Sequence, residues 1–479
     1  MAQLEGGKSY RCFGASGRGL YDPTCAFLAM VFSMRILIVS WYFPPSNTIG
    51  AVRVGTLAKH LVEQGHEVKV LTVKDPPYAQ TLPRVLPSGH VVAAPWKDVN
   101  AAPKRAAVWI KGMARRFRST NGGDGNKIGS VAVQAPSSGP GPLSRFYMNL
   151  INFPDSRIGW LWPAMSAGRA LLADWRPDLI FASGPPFTGL LLAHRLAKRS
   201  RIPLVVEFRD RWSDDPYAPP PAWRGYWERV VEGRIIRAAA GLVTVSEPWA
   251  DTYRHKFGKP TIVVYNGYDP ELCASGDPVG SLENPVLRIV YTGGIYPGRR
   301  DPSPLFEAVG RLPDAPNRIE IDFHGTNENH VFPLAEKYGV RDVVSVYPRV
   351  DHDKAIHLQL DADVLFLMQW NDPREQGNVP GKFFEYLGAR RPILCLGLED
   401  GVPATLIRQR GAGFFSNDPA AIAEQLEAWI AIKRSTGAVP ASPERARAGF
   451  SRYEQFAKLE PFFTELLATG AGAMAPQLG

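Results

Sequence analysis

Lys382 and Glu385 stand three residues apart in NVPGKFFEYL, Asn378 to Leu387. On a helix that spacing places both side chains on one side, separated by about 4.5 Å of rise. This is close to the step from a phosphate to a ribose: the lysine can meet phosphate charge, and the carboxylate can accept from both ribose hydroxyls. Asn378 can cap such a helix and Pro380 suits its first turn, while Phe383, Phe384 and Leu387 supply an inward apolar face, so the pattern predicts a helix starting near Val379. Its first amides lack intrahelical partners and carry the positive end of the helix dipole, which favours an anion such as pyrophosphate. Gly381 leaves room for close approach. The same two residues also fit an ordinary ion pair on a helix surface.

The elements around this stretch repeat a pattern of short apolar strands and helices. RILIVS (Arg35 to Ser40) and EVKVLTV flank a loop and helix that carries Gly50 near its start and Arg53 one turn on. Gly50 is placed where backbone can approach a phosphate or sugar. Arg53 fits either a cleft or an exposed surface. No GxGxxG follows the strand, so this is not a dinucleotide fingerprint. DLIFAS, PLVVEF and GLVTVS follow, separated by helices expected over Pro186 to Arg199 and Ala222 to Ala240. A second series begins at LRIVYTGG and continues through RIEIDFHG, VVSVYPRV, DVLFLM and Pro392 to Leu396. Alternating strands and helices imply parallel sheets covered on both faces, with ligands beyond the carboxyl ends of the strands.

The stretch from Asn371 to Gly397 resembles the donor-binding segment of family-4 glycosyltransferases. The ordered set FPD, GW, SGPP, EFRDRW, VTVSEP and YNGYDP resembles one subgroup of that family over about Met34 to Leu467. The resemblance implies an α/β protein with two Rossmann-like domains facing across a cleft, the GT-B fold, and a C-terminal helix crossing back to the first domain. It implies transfer of a sugar from a nucleotide-diphosphate sugar to an acceptor hydroxyl, with retention, with no metal and no cofactor beyond the donor substrate. Glu385 then contacts the donor ribose, Gly294 admits the diphosphate, and Arg299 or Arg300 supplies charge; Arg299 is the residue favoured. Arg349, in the segment Tyr347 to Val350, falls where the nucleotide base is held.

Two departures from the family matter. Its first donor-segment glutamate falls on Gly377, leaving Glu375 or Asp372 to replace it. Where the family has a histidine near the acceptor, this chain has Arg209 and Asp210: Asp210 is the candidate for positioning the acceptor hydroxyl, Arg209 for steadying phosphate charge, and an internal ion pair is the plain alternative. Asp361-Ala362-Asp363 spells a metal-chelating DxD, but it closes a helix and leads into a strand, so it reads as strand-entry punctuation. His324 and His352 lack metal partners at ligand spacing and read as structural.

With 479 residues the chain exceeds one ordinary core. The expected layout is a disordered or mis-assigned extension at 1–33 and an acceptor-binding domain at 34–266 with a flexible basic insertion at about 76–142. A nucleotide-sugar domain at 267–450 and a crossover helix and tail at 451–479 follow, with the hinge at Asn266-Gly267 and the last helix over Tyr453 to Leu467. No apolar run approaches the ~18 residues of a membrane span. Lys and Arg exceed Asp and Glu by 55 to 46, which suits an anionic ligand or acidic bilayer surface and argues weakly for nucleic acid, so none is expected. Basic residues of the insertion, Lys104, Arg105, Lys111, Arg115, Arg116 and Arg118, interleave with Val108, Trp109, Ile110, Met113 and Phe117 as a membrane-surface segment would, or as a solvated loop would. Four cysteines without metal spacing fit a reducing compartment, so a cytoplasmic place, with contact at the inner membrane face left open, is the expectation. The subgroup resemblance points to a saccharide or lipid-linked acceptor in envelope or extracellular polysaccharide assembly. The alternatives are a sugar-nucleotide epimerase of the same fold and a non-catalytic sugar-nucleotide-binding subunit.

Overall fold

The structure is a computed structural model that describes residues 33–101, 142–273 and 284–473. The expectations for 1–32 and for the basic residues between 104 and 118 lie outside the described residues. Among the described residues thirteen strands form two sheets, parallel in every pairing. The first contains β1 (Arg35–Val39), β2 (Glu67–Val73), β3 (Val91–Ala94), β4 (Leu179–Gly184), β5 (Leu204–Phe208), β6 (Gly241–Thr244) and β7 (Thr261–Val263), in the order β3-β2-β1-β4-β5-β6-β7. The second contains β8 (Leu287–Thr292), β9 (Ile319–His324), β10 (Val344–Tyr347), β11 (Val364–Met368), β12 (Ile393–Leu396) and β13 (Gly413–Phe415), in the order β10-β9-β8-β11-β12-β13. Both are doubly wound, and the order reverses between β1 and β4 and between β8 and β11, where open parallel sheets offer a ligand crevice.

The central strands are buried from end to end because helices cover both faces; β4, β5, β6, β11 and β12 have no exposed residue. Helix Leu459–Ala473 covers part of the first sheet. Its Phe462, Phe463 and Leu466 join the core of Ile36, Ile38, Phe181 and Val243, and a Cβ at Gly241 would stand 2.6 Å from Leu466 Cδ1. The C-terminal segment therefore returns to the N-terminal half. It is two helices, Arg452–Phe456 and Leu459–Ala473, rather than one over Tyr453 to Leu467. The chain passes between the halves twice, side by side: Tyr268 N donates to Phe450 O at 3.0 Å and Arg452 N to Tyr268 O at 2.9 Å.

Two local expectations are revised, and a third, Asp363 as punctuation at a strand entry, holds. The flexible insertion was set from about Pro76, yet Val91–Ala94 pairs with β2 as the sheet's edge strand. Asn378 does not cap a helix; its amide donates to Glu375 Oε1 at 2.9 Å, and helix Gly381–Ala389 begins two residues after the expected Val379, with Pro380 at its N-cap. Asp363 accepts from Lys433 Nζ at 2.7 Å and from Arg288 N at 2.9 Å at the entry to β11, a structural role.

Arg53 occupies neither surface nor cleft. It is 4% exposed, and its guanidinium donates to Glu207 at 2.7 Å, to Val264 O at 2.8 Å and to Tyr265 O at 2.8 Å. Burial alone would raise the Glu207 carboxyl, but Arg53, Arg209 and Ser183 outweigh it and hold the group below its ordinary value. One guanidinium thus ties the end of β5 to the interlobe crossing. Removing one member of a buried pair leaves the other uncompensated, so Arg53→Ala should cost about 3–5 kcal/mol of stability in urea denaturation; a loss under about 1 kcal/mol, as for an exposed pair, would contradict the assignment.

Candidate functional site

In the C-terminal half the loop after β8 carries Gly293 at φ 127, a left-handed region that glycine tolerates. A Cβ there would also stand 2.5 Å from Lys382 Nζ, so the missing side chain is what admits the lysine. Lys382 lies in the first turn of helix Gly381–Ala389. Its stem is partly exposed, but its ammonium is buried, lies 4.0 Å from the Tyr291 ring centroid and has no hydrogen-bond partner. Burial, then repulsion from Arg300, pushes its pKa well below the ordinary lysine value, with Glu385 opposing. No ion pair joins Lys382 to Glu385: Glu385 accepts from Gln359 Nε2 at 3.1 Å and faces His352 Nδ1 at 3.7 Å. The surface-pair alternative therefore does not describe these two residues.

Arg300 Nη1 donates to Gly294 O at 3.1 Å, its guanidinium lies over the Tyr296 ring, and its Nε is buried without a partner. Arg299, the arginine favoured from sequence, turns elsewhere. It donates to Tyr217 O at 3.1 Å and packs over the rings of Tyr217 and Trp370 at 4.5 and 4.9 Å, so it joins the two halves. Arg300, not Arg299, is the arginine whose charge bears on Lys382. Gly294 has open space where a Cβ would be. Gly325 N donates to Tyr347 O at 3.0 Å, and the Cβ position of Gly325 lies 3.7 Å from Arg349 Cα and 3.8 Å from Gly293 Cα, so exposed Arg349 borders the same loops. His324 stacks on Tyr347 at 4.7 Å with both ring nitrogens buried and unpartnered, and burial pushes its pKa down.

The opposite wall is built from the ends of β1, β4 and β5. Asp155 of the FPD motif accepts from Thr188 N at 2.7 Å and Thr188 Oγ1 at 2.9 Å, pinning the start of helix Phe187–Ser200 behind the SGPP turn. Arg209 donates to Pro185 O in that turn. Its Nη1 would be 2.7 Å from a Cβ at Gly50, so Gly50 makes room for the arginine and for Tyr42 rather than opening directly onto a ligand. Burial lowers the pKa of Arg209, against the pull of Glu207 and Asp210. Asp210 is exposed at the start of the loop leaving β5; desolvation raises its carboxyl, Arg209 opposes this and Asp215 adds to it. The pair is not a closed internal ion bridge, because Arg209 spends its hydrogen bond on Pro185.

Between the walls, Glu375 is 2% exposed and accepts from Tyr217 Oη at 2.6 Å and Asn378 Nδ2 at 2.9 Å. Burial raises its carboxyl, and Tyr217, Asn378 and Arg300 oppose that shift. Asp372 faces outward in a pair with Arg374. Gly377, at φ 81, is closed to any side chain: a Cβ would stand 2.3 Å from Trp249 Cδ1, and Trp249 Nε1 donates to Gln376 O at 3.1 Å. Sequence reasoning missed Tyr217 and the contact of His352 with Glu385; each is signalled only by the tertiary neighbours it meets, from another half or another helix. The VTVSEP motif marks the turn that leads into Trp249, the residue that closes Gly377.

The arrangement offers two cations, two glycines and a helix start on one wall, and an arginine and a carboxylate on the other. The family model described as "Glycosyl transferase 4-like domain" matches residues 50–267. No curated protein matches the sequence. Among solved structures, sucrose-phosphate synthase from Thermosynechococcus elongatus is similar with a TM-score of 0.57 at 16% identity, covering 91% of this chain and all of that one. HepE from Anabaena in complex with UDP-glucose gives 0.52 at 14%, covering 91% and 100%. WaaG, a glycosyltransferase involved in lipopolysaccharide biosynthesis, gives 0.51 at 14%, covering 90% and 100%. Residues 50–267 thus match a glycosyl transferase 4-like domain, and the two facing Rossmann-like sheets give the chain the GT-B fold of these structures.

Proposed function

We propose that the chain transfers a sugar from a nucleotide-diphosphate donor to a hydroxyl of a saccharide or lipid-linked acceptor, with retention of configuration and without a metal, in envelope or extracellular polysaccharide assembly. One observation carries the donor assignment: the Lys382 ammonium is buried beside Gly293 with no partner, and an anion is what would complete it. In the reaction the bond from the anomeric carbon to the diphosphate oxygen breaks, and its electron pair leaves with the diphosphate. The acceptor oxygen bonds the same carbon and passes its proton to the departing diphosphate oxygen. Lys382, Arg300 and the first amides of helix Gly381–Ala389 meet the charge that gathers on the leaving group. That supply of positive charge is why the reading carries no metal, and turnover in the presence of a chelator tests it.

Glu385, held by Gln359 and His352, accepts from the ribose hydroxyls, and Arg349 with the His324–Tyr347 stack borders the base. Asp210 orients the acceptor hydroxyl and Arg209 steadies phosphate charge. Glu375 rather than Asp372 stands in for the family glutamate, because Gly377 is filled by Trp249 and Asp372 faces outward. Retention and the polysaccharide role rest on the family and subgroup resemblance. Similarity to HepE with UDP-glucose makes uridine nucleotides the first donors to try.

The direct test incubates the purified chain with a panel of nucleotide sugars and measures released nucleotide; release from none of them would overturn the reading. Glu385→Ala should weaken donor binding at least tenfold and cut turnover while the fold persists, and unchanged donor affinity would count against its role. Lys382→Met should lose nucleotide-diphosphate binding yet leave the unfolding midpoint equal or higher, because it removes a desolvated charge that nothing in the free chain compensates. A fall in both would mean the lysine is structural.

A further inference from the structure

A cavity of about 790 Å³ opens on the outer face of the N-terminal half, away from the interlobe site, between helices Phe187–Ser200 and Ala222–Ala238. Its charged lining is Lys198, Arg229, Arg234, Arg237 and Lys256. Of the neighbouring carboxylates, Glu228 binds Arg224 at 2.7 Å, Glu232 accepts from Ser213, and Asp214 pairs with Lys256 of the lining at 3.7 Å. Among the described residues no ion pair reaches Lys198, Arg229, Arg234 or Arg237. His194, 9% exposed, lines the same cavity with its Nδ1 unpartnered.

Helix ends explain part of this charge, since Lys198, Arg237 and Lys256 sit in last turns, where cations complement the carbonyl end of the dipole. Arg229 and Arg234 sit mid-helix and have no such role. The surface beside the groove is aromatic. Tyr226 and Trp227 are exposed and meet edge-on at 5.4 Å. Helix Pro142–Ile151 lies against the same region, with Phe146 5.5 Å from Trp223, and presents Phe146, Tyr147 and Leu150 to solvent.

A cationic groove in which, among the described residues, four of five lining cations lack an ion pair, bordered by exposed aromatic side chains, matches the two layers of a bilayer surface: phosphate outside, and beneath it the interface where Trp and Tyr settle. We propose that this face docks on an anionic lipid bilayer, with headgroup phosphates entering the groove at Arg229, Arg234 and His194 and with Trp227, Tyr226 and Phe146 at headgroup depth. A soluble acidic partner would account for the cations but not for the adjoining aromatic band.

The test is cosedimentation of the full chain with phosphatidylcholine vesicles, with and without phosphatidylglycerol. Binding should require phosphatidylglycerol and weaken with added salt. Arg229→Glu with Arg234→Glu should weaken it at least tenfold, and Trp227→Ala severalfold. Nucleotide binding by the same variants should be unchanged, which confirms folding and separates failure here from failure of the donor assignment; Arg229→Gln with Arg234→Gln gives the same reading with a milder change. Equal binding to neutral vesicles, no binding to either, or variants that bind like the parent chain would overturn the proposal.

Discussion

A single ammonium group without a partner constrains the C-terminal half. Lys382 could reach water if Gly293 carried a side chain or if the helix started a turn earlier, and in either case the cation would lose its position beside the loop. Instead a glycine at positive φ, the face of Tyr291 and the start of helix Gly381–Ala389 hold it in a desolvated niche beside Arg300. Holding a cation out of water is unfavourable unless an opposite charge arrives. The fold therefore stores an unsatisfied demand for an anion at the crevice where the second sheet reverses its strand order, and the glycines that let the lysine in also let a ligand come close.

The first half answers with a different kind of order. There the buried charge at the crossing is satisfied: Arg53 on Glu207 and on the carbonyls of Val264 and Tyr265 fixes β5 relative to the interlobe crossing. The loop leaving β5 starts with Arg209 and Asp210 and runs on to Tyr217, whose hydroxyl reaches Glu375 and whose ring lies under Arg299. The stretch from Arg209 to Tyr217 thus runs from the end of β5 to direct contacts with Glu375 and Arg299 of the C-terminal half.

The strands and both sheets were legible in the sequence because runs such as RILIV, LVVEF and VLFLM are buried on both faces and need no partner to be recognised. The Lys382 and Glu385 spacing was legible because a helix imposes it. What stayed hidden depended on distant neighbours. Nothing local tells Arg299 from Arg300, since the choice is made by Tyr217 and Trp370 from elsewhere in the fold. Nothing local shows that Asn378 prefers Glu375 to a helix cap, or that Gly377 is closed by Trp249. Val91–Ala94 is a short edge strand in a Pro-rich context, and β2 supplies the pairing that defines it.

The most direct measurement is calorimetry of uridine diphosphate binding in buffers of different ionisation enthalpy, with the parent chain and Lys382→Met. Burial depresses the pKa of free Lys382, and a bound diphosphate would raise it again, so between those two values binding must take up a proton. Affinity should then fall as pH rises through that window, by at most about tenfold per unit. The account requires proton uptake by the parent chain that the methionine variant lacks. Equal proton uptake and equal affinity in both proteins would contradict it.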